Sequence, residues 1–207
     1  MKKNSVLSIC AGLAMMVSCQ STKEPIQEKE SNSSDASIDA KVEEVFSKMS
    51  IEDKAGQMTQ VNLNVILAPR WGTGYANNDG VISAALLDTA IVTYKVGSLL
   101  NAINHAYPLK QWHHVINTIQ DKVLKDTAAN GIPVLYGIDA IHGTTFTLGS
   151  TLFPHNIGVA ASRDPQVAKT AAKITAKEVR ASGIRWNFDP VFDLGRQPLC
   201  PRFPETF

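Results

Sequence analysis

The sequence lacks the features that mark several classes of protein. Neither sign of charge dominates, because 20 lysines and arginines face 19 aspartates and glutamates, and this balance gives no electrostatic reason to expect a nucleic-acid partner. The apolar stretch at residues 6–17 is shorter than the roughly 20 residues that a membrane-spanning helix needs. Of the 3 cysteines, Cys10 and Cys19 lie in an N-terminal targeting segment, which leaves Cys200 without a disulfide partner in the mature chain. What is present is 44% hydrophobic residues, enough to bury one core and to exclude a disordered or collagen-like chain.

The first residues have the pattern of an export signal. Lys2 and Lys3 precede the apolar stretch, as in a secretory signal peptide. The stretch ends at Ser18-Cys19, which resembles a bacterial lipobox, where the cysteine is lipidated and becomes the mature N-terminus. We therefore predict a signal peptide over residues 1–18 and a lipid anchor on Cys19. The protein would then be an exported lipoprotein of the periplasm or outer membrane, and simple secretion with cleavage nearby is the alternative.

A polar segment separates this signal from the rest of the chain. Residues 20–36 contain Ile26 and Ala36 as almost their only apolar side chains, too few to bury a core. We predict that residues 19–37 form a flexible linker and that residues 38–207 form the folded domain.

Two short helices are predicted at the start of this domain. Apolar residues recur at helical spacing over residues 42–49. Ser50 and Asp53 then have the spacing of a capping box, which predicts a second helix with Ala55 and Met58 on its inner side. The glycines, asparagines and proline of residues 62–80 favour a loop.

Helices and apolar strands alternate in the remainder of the domain. This alternation is typical of a parallel sheet covered by helices. About three strands are visible in a chain shorter than the roughly 250 residues of an eight-stranded barrel, so part of a (β/α)₈-like barrel and a small doubly wound domain both fit. The predicted helices cover residues 83–94, 112–130 and 165–183. The predicted strands cover 96–100, 132–138 and 184–188, with an extension of the last strand to residue 192 as the alternative.

One acidic residue stands where α/β proteins place their ligand sites. Asp139 comes directly after the predicted strand at 132–138, and the carboxyl ends of parallel strands form the binding edge of such folds. A carboxylate there can accept hydrogen bonds from substrate hydroxyls. Capping of the following loop is the alternative interpretation.

Three ordered blocks carry a family resemblance. They read IPVLYGIDAIHG at 132–143, FPHNIGVAASRDP at 153–165 and AKEVRASGIRWNFDPVFDLGRQP at 176–198. Together they resemble the N-terminal domain of glycoside hydrolase family 3 over residues 51–207, in the β-glucosidase branch. The resemblance implies an incomplete (β/α)₈-like, TIM-type barrel in this chain. It also implies exo-acting, retaining hydrolysis of β-glucosides or oligosaccharides with release of terminal β-D-glucosyl units, and no cofactor.

The resemblance also implies roles for individual residues. Asp139 matches the aspartate that binds hydroxyls of the terminal glucosyl unit, and Arg202 matches an arginine that contacts the same sugar. Glu205 matches a family glutamate that we interpret as a structural partner of Arg202. The chain departs from the family at Pro201, where the family has glycine.

The resemblance assigns no catalytic residue to residues 1–207. In the family the nucleophile and the acid/base both come from sequence downstream of the position of Phe207, and neither Asp189 nor Asp193 aligns with the nucleophile. We therefore expect this chain to carry part of the glucose-binding subsite and to be inactive alone. The alternative is a non-catalytic truncated product or a surface-tethered sugar-binding lipoprotein.

The other candidates favour structural roles. His142 and His155 lie in the family blocks and are expected to hold loops by hydrogen bonding. His113 and His114 are adjacent on a helix and point different ways, so no metal site is predicted there. Trp71 is expected to pack at the edge of the domain rather than to stack on a sugar.

Overall fold

A computed structural model of the protein describes residues 33–68, 81–102 and 106–206. The predicted signal peptide, the lipidation site Cys19, most of the predicted linker and Trp71 lie outside the described residues. The chain divides into two units, residues 1–43 and residues 44–207.

The helix α1 (Ser33–Phe46) begins earlier than expected. The linker is predicted to reach residue 37, but the helix starts at Ser33, where serines and an aspartate are residue types favoured at helix starts. In the first unit, Ile38 and Val42 are exposed, and in the second unit so are Val45 and Phe46.

The centre of the second unit is a parallel sheet. Its strands β1 (Gln60–Asn62), β2 (Ser98–Leu100), β3 (Leu135–Ile138) and β4 (Trp186–Asn187) lie in the order β1-β2-β3-β4, and each pairs in parallel with the next. Strand order that follows chain order is the arrangement of a (β/α)₈ barrel, whereas a doubly wound sheet reverses its order. The expected barrel-type fold is therefore confirmed.

The strands are shorter than predicted, and one was missed. β1 lies at the edge of the segment assigned to a loop, and its polar Gln60 and Asn62 gave no apolar signal. The strand predicted at 184–188 reduces to Trp186–Asn187, and residues 188–197 have no regular structure.

Helices connect the strands. They are α2 (Ile51–Gln57), α3 (Ala84–Asp88) with a π-helical continuation (Thr89–Thr93), α4 (Leu109–Lys125), α5 (Asn156–Ala161) and α6 (Pro165–Ala181), with 3₁₀ turns at Leu63–Ile66 and Phe203–Glu205. α6 begins as predicted, since the Asp164 side chain accepts a hydrogen bond from the Gln166 N–H and Pro165 occupies the first turn. No helix within the described ranges is long and apolar enough to cross a bilayer.

The capping box of α2 is confirmed, but its predicted inner face is wrong. Ser50 Oγ accepts from the Asp53 N–H, and Asp53 accepts from the Ser50 N–H. Ala55 and Met58 are exposed, however, and the buried residue is Gly56. A Cβ atom on Gly56 would lie 2.2 Å from the Tyr94 carbonyl oxygen, so the close contact is made by backbone and excludes any side chain.

The core lies where α3, its π-helical continuation and α4 pack with the sheet. The predicted stripe of α4 is confirmed, since Trp112, Val115, Ile116, Ile119 and Val123 are all buried. The Trp112 ring meets the rings of Tyr107 and Tyr136 edge-on, at centroid distances of 5.2 and 5.6 Å. Such packing fixes β3 against α4, and truncating Trp112 to alanine is expected to cost about 3–5 kcal/mol.

Candidate functional site

The carboxyl ends of β2, β3 and β4 bring three polar residues to one edge of the sheet. Leu100 pairs with Gly137, and Ile138 pairs with Asn187. Asn101 and Asp139 directly follow β2 and β3, and Asn187 is the last residue of β4. Asp139 therefore lies at the predicted edge, flanked by an asparagine from each neighbouring strand.

Asn101 holds Asp139 at two points. The Asn101 Nδ2 group donates to Asp139 Oδ2 at 2.7 Å, and the Asp139 N–H donates to Asn101 Oδ1 at 2.9 Å. Asn101 has a φ of 50°, a left-handed conformation that asparagine adopts more readily than most residues.

The Tyr136 side chain binds the main chain of Asn101. Its hydroxyl donates to the Asn101 carbonyl oxygen at 2.6 Å. Burial raises the pKa of Tyr136 well above its ordinary value, so the phenol stays protonated and remains a donor.

Asn187 holds the next residue from the opposite side. The Ala140 N–H donates to Asn187 Oδ1 at 3.0 Å, and Asn187 Nδ2 donates to the Ala140 carbonyl oxygen at 3.4 Å. Ala140 is fully buried. The dipeptide Asp139-Ala140 is thus bound by side-chain amides from both neighbouring strands.

The loop after Ala140 is held by His142, as predicted. Its Nδ1 atom lies 3.0 Å from the Phe153 carbonyl oxygen, and the Phe153 N–H donates to the His142 carbonyl oxygen at 2.8 Å. The His155 ring lies 4.2 Å from the His142 ring, measured between centroids. Gly143 follows with a φ of 106°, and a Cβ atom there would lie 2.2 Å from the Thr151 carbonyl oxygen.

Arg202 lies in the turn that precedes the C-terminal 3₁₀ helix. Its guanidinium binds the Glu205 carboxylate through Nε at 2.8 Å and through a second, shorter contact from the terminal nitrogen Nη2. The expected role of Glu205 as partner of Arg202 is therefore confirmed. Asn156 on α5 donates to the Glu205 carbonyl oxygen at 2.8 Å and ties this turn to the domain.

Nearby acidic groups act on the charge of Arg202. The hydrogen bond with Glu205 is the main cause that raises the pKa of Arg202, and the negative charges of Asp139 and Asp193 act in the same direction. The Arg202 side chain is 61% exposed, so its pair with Glu205 is screened by water and contributes little to stability.

Asp189 lies in the sequence between β4 and the turn that contains Arg202. Partial burial raises its pKa above the ordinary value of 3.8, although a hydrogen bond with the Val191 backbone opposes the shift. Asp189 lines a cavity of about 260 Å³ together with His142 and residues of α5 and α6. A larger cavity of about 600 Å³ lies among α2, β1 and α3 and does not include Asp139. Its lining contains none of the strand-end residues Asn101, Asp139 and Asn187.

The described residues give no support for a metal centre. His113 on α4 contacts the Ala181 carbonyl oxygen at 2.8 Å through Nε2, and no group of three His, Cys, Asp or Glu residues in the described ranges could hold a metal ion.

Asn101 and Asn187 are the site residues that sequence reasoning missed. Asn101 carries the same signal as Asp139, a polar residue directly after a short apolar strand. Its pairing with Asp139 depends on the register between β2 and β3, which the sequence does not display.

Comparison with known proteins adds the family context. Residues 50–207 match the model of the glycosyl hydrolase family 3 N terminal domain. The chain is 40% identical over 178 residues to the lysosomal beta glucosidase of Dictyostelium discoideum, covering 82% of this chain and 20% of that protein. It is 31% identical over 177 residues to a probable beta-glucosidase C of Aspergillus oryzae, covering 82% of this chain and 26% of that protein.

A solved structure shows the same fold. The exo-1,3/1,4-beta-glucanase of a Pseudoalteromonas species superposes with a TM-score of 0.65 at 30% identity, covering 82% of this chain and 20% of that one. The chain thus spans about a fifth to a quarter of the length of these relatives.

Proposed function

Because the chain belongs to glycosyl hydrolase family 3 through its N-terminal domain, we propose that it contributes a sugar-binding edge to the exo-acting hydrolysis of β-glucosides. The observation that carries the proposal is Asp139, fixed at the carboxyl edge of a parallel sheet by hydrogen bonds with Asn101. Similarity to β-glucosidases supports the substrate class.

Asp139 and Arg202 have complementary chemistry for one sugar. The carboxylate of Asp139 accepts hydrogen bonds from two neighbouring hydroxyls of a terminal glucosyl unit, because one bond with Asn101 leaves acceptor capacity on a group with about four lone-pair positions. The Arg202 guanidinium offers N–H donors beyond those that bind Glu205. Charged hydrogen bonds of this kind bind the sugar at the non-reducing end of the substrate. An exo-acting enzyme removes this terminal unit and therefore has to bind it.

The proposed reaction retains the anomeric configuration. A carboxylate attacks the anomeric carbon while a carboxylic acid protonates the departing glycosidic oxygen, and water then cleaves the glycosyl-enzyme. Neither role is assigned to Asp189 or Asp193. The part of Asp139 is to hold sugar hydroxyls whose hydrogen bonds strengthen as the ring distorts toward the transition state.

Turnover and stereochemistry test this function. The protein expressed from its own gene is incubated with an aryl β-glucoside, and NMR follows which anomer of glucose appears first. We expect β-glucose and no cleavage of the aryl α-glucoside used as control. Glucose binding without turnover would overturn the hydrolase proposal in favour of a sugar-binding protein, and α-glucose as first product would overturn retention.

We also propose that the protein is an exported lipoprotein anchored through Cys19. The proposal rests on the basic, apolar and Ser18-Cys19 pattern of the sequence. A Cys19→Ser variant should leave the detergent phase in a phase-partitioning experiment, while a Cys10→Ser variant should stay in it. Unchanged partitioning of Cys19→Ser would contradict lipidation at this residue.

A further inference from the structure

We propose that Asn101 is a positioning residue for Asp139, and that Asn187 completes its support from the other side. The inference rests on the proposed function, since it concerns how the sugar-binding carboxylate is held. It adds two residues to which the sequence analysis assigned no role.

The first step is the geometry of the Asn101 amide. Its two polar atoms bind the backbone N–H and the carboxylate of the same residue, at 2.9 and 2.7 Å. This pairing fixes both the main chain and the side-chain torsions of Asp139. The orientation of the carboxylate is therefore set during folding, and sugar binding does not have to order it.

The second step is how Asn101 itself is fixed. Its N–H donates to the Gly137 carbonyl oxygen at 3.0 Å, and its carbonyl accepts from the Tyr136 hydroxyl at 2.6 Å. Both partners belong to β3, the strand that carries Asp139. Asn101 is consequently locked to the same strand it positions, and the φ of 50° gives its side chain this direction.

The third step is the matching contact from β4. Asn187 binds both polar groups of the Ala140 backbone, at 3.0 and 3.4 Å. An asparagine on each side of Asp139-Ala140 opposes rotation of this peptide in either direction. The strands already pair through their backbones, so these two side-chain contacts are not required to hold the sheet together.

The test compares two substitutions of Asn101 in the protein expressed from its own gene. Asn101→Gly removes the amide and tolerates the positive φ, so folding should be preserved. We expect kcat/KM for an aryl β-glucoside to fall about 10- to 100-fold, with part of the loss in kcat, as for the loss of a hydrogen bond to a charged group.

Asn101→Asp is nearly the same size and can still accept from the Asp139 N–H, but it places a second carboxylate against Oδ2. Two carboxylates at this distance cannot both stay ionised without mutual repulsion. We expect a loss at neutral pH that is partly recovered as the pH falls, relative to the wild-type profile measured alongside. Arg202, on which the charge of Asp139 acts, is unchanged in both proteins.

Asn130→Gly is the matched control. The Asn130 side chain also bonds a backbone N–H, that of Ile132 at 3.0 Å, but it precedes β3 rather than following it. This variant should lower thermal stability, because the bond with Ile132 is lost, and should leave kcat/KM within about two-fold of wild type.

The outcomes separate the two levels of the proposal. If Asp139→Ala loses activity while Asn101→Gly and Asn101→Asp keep wild-type kcat/KM and pH profile, the positioning role is wrong and the sugar-binding role stands. If Asp139→Ala behaves as wild type, the proposed sugar-binding role fails, and the positioning role fails with it. If Asn101→Gly does not fold, the pH profile of Asn101→Asp tests the positioning role by itself, and a profile equal to that of wild type would contradict the role.

Discussion

Asp139 and Arg202, the two residues proposed to bind the sugar, are held by contacts of different range along the sequence. Asp139 is bound by Asn101 from the neighbouring strand, and Ala140 beside it by Asn187 from the other. Arg202 is bound by Glu205, three residues further on, and its side chain is mostly exposed. A sheet edge therefore holds a rigid acceptor, whereas the C-terminal turn holds an adaptable donor, and the following experiments test that difference.

The largest effect is expected at the sheet edge. In the protein expressed from its own gene, as in all the kinetic experiments below, Asp139→Ala should lower kcat/KM for an aryl β-glucoside by several orders of magnitude. Hydrogen bonds to the sugar that tighten in the transition state are lost from turnover as well as from binding. Steady-state kinetics measures the effect. Asp121→Ala, which removes an exposed aspartate paired with Lys125 on α4, is the control and should leave the kinetics unchanged. A value for Asp139→Ala within a few-fold of wild type would disprove its role.

A smaller effect is expected at the turn. Arg202→Ala should reduce kcat/KM by about 10- to 100-fold, the usual consequence of losing one or two charged hydrogen bonds. Arg202→Lys should recover only part of this loss, since an ammonium lacks the planar fork of the guanidinium. Arg180→Ala on α6 serves as the control. An effect of Arg202→Ala equal to that of Asp139→Ala would contradict the expected difference between the turn and the sheet edge.

The partner of Arg202 should matter less still. Glu205→Gln keeps an oxygen that can accept from the guanidinium, and an exposed ion pair contributes only about 0–1 kcal/mol. We expect less than a ten-fold loss of kcat/KM and little change in the unfolding temperature. A loss that disappears at high salt would indicate a purely electrostatic role, while a salt-independent loss above this range would indicate that Glu205 contacts the sugar itself.

The smallest effect concerns Asp189, between the two regions. Its pKa is raised by burial from 3.8, so the folded state holds its proton more tightly than the unfolded state. Stability is therefore lost as the pH rises through the window that begins near this ordinary value. Asp189→Asn should raise the melting temperature at pH 7 and leave it unchanged at pH 3, as measured by circular dichroism. A higher melting temperature at both pH values would assign the effect to packing.

Local contacts could be predicted from the sequence, and contacts between strands could not. The Ser50–Asp53 capping box was expected because its residues have the three-residue spacing of that motif, and the Arg202–Glu205 pair was expected because both residues match the family resemblance. The position of Asp139 was expected because it ends an apolar run. Its partner Asn101 was missed, because a partner on another strand depends on register.

The wrong predictions have a common physical cause. Met58 was placed inside because it is apolar, yet the contact beneath α2 is made by Gly56, which has no side chain and gives no hydrophobic signal. β1 was missed for a similar reason, since Gln60 and Asn62 are polar and their place in the sheet comes from backbone pairing with Ser98 and Leu100. The spacing of apolar residues along the sequence does not reveal backbone contacts of this kind.

The order of the strands also bears on how the protein is made. Gln60 pairs with Ser98, Ser98 with Leu135, and Gly137 with Trp186, so each strand joins the one synthesised just before it. Each addition closes a loop of similar and moderate length, and the entropy of closure grows only slowly with that length. The sheet can therefore assemble during synthesis in chain order, one strand at a time, and the support around Asp139 is complete only when Asn187 has emerged and docked.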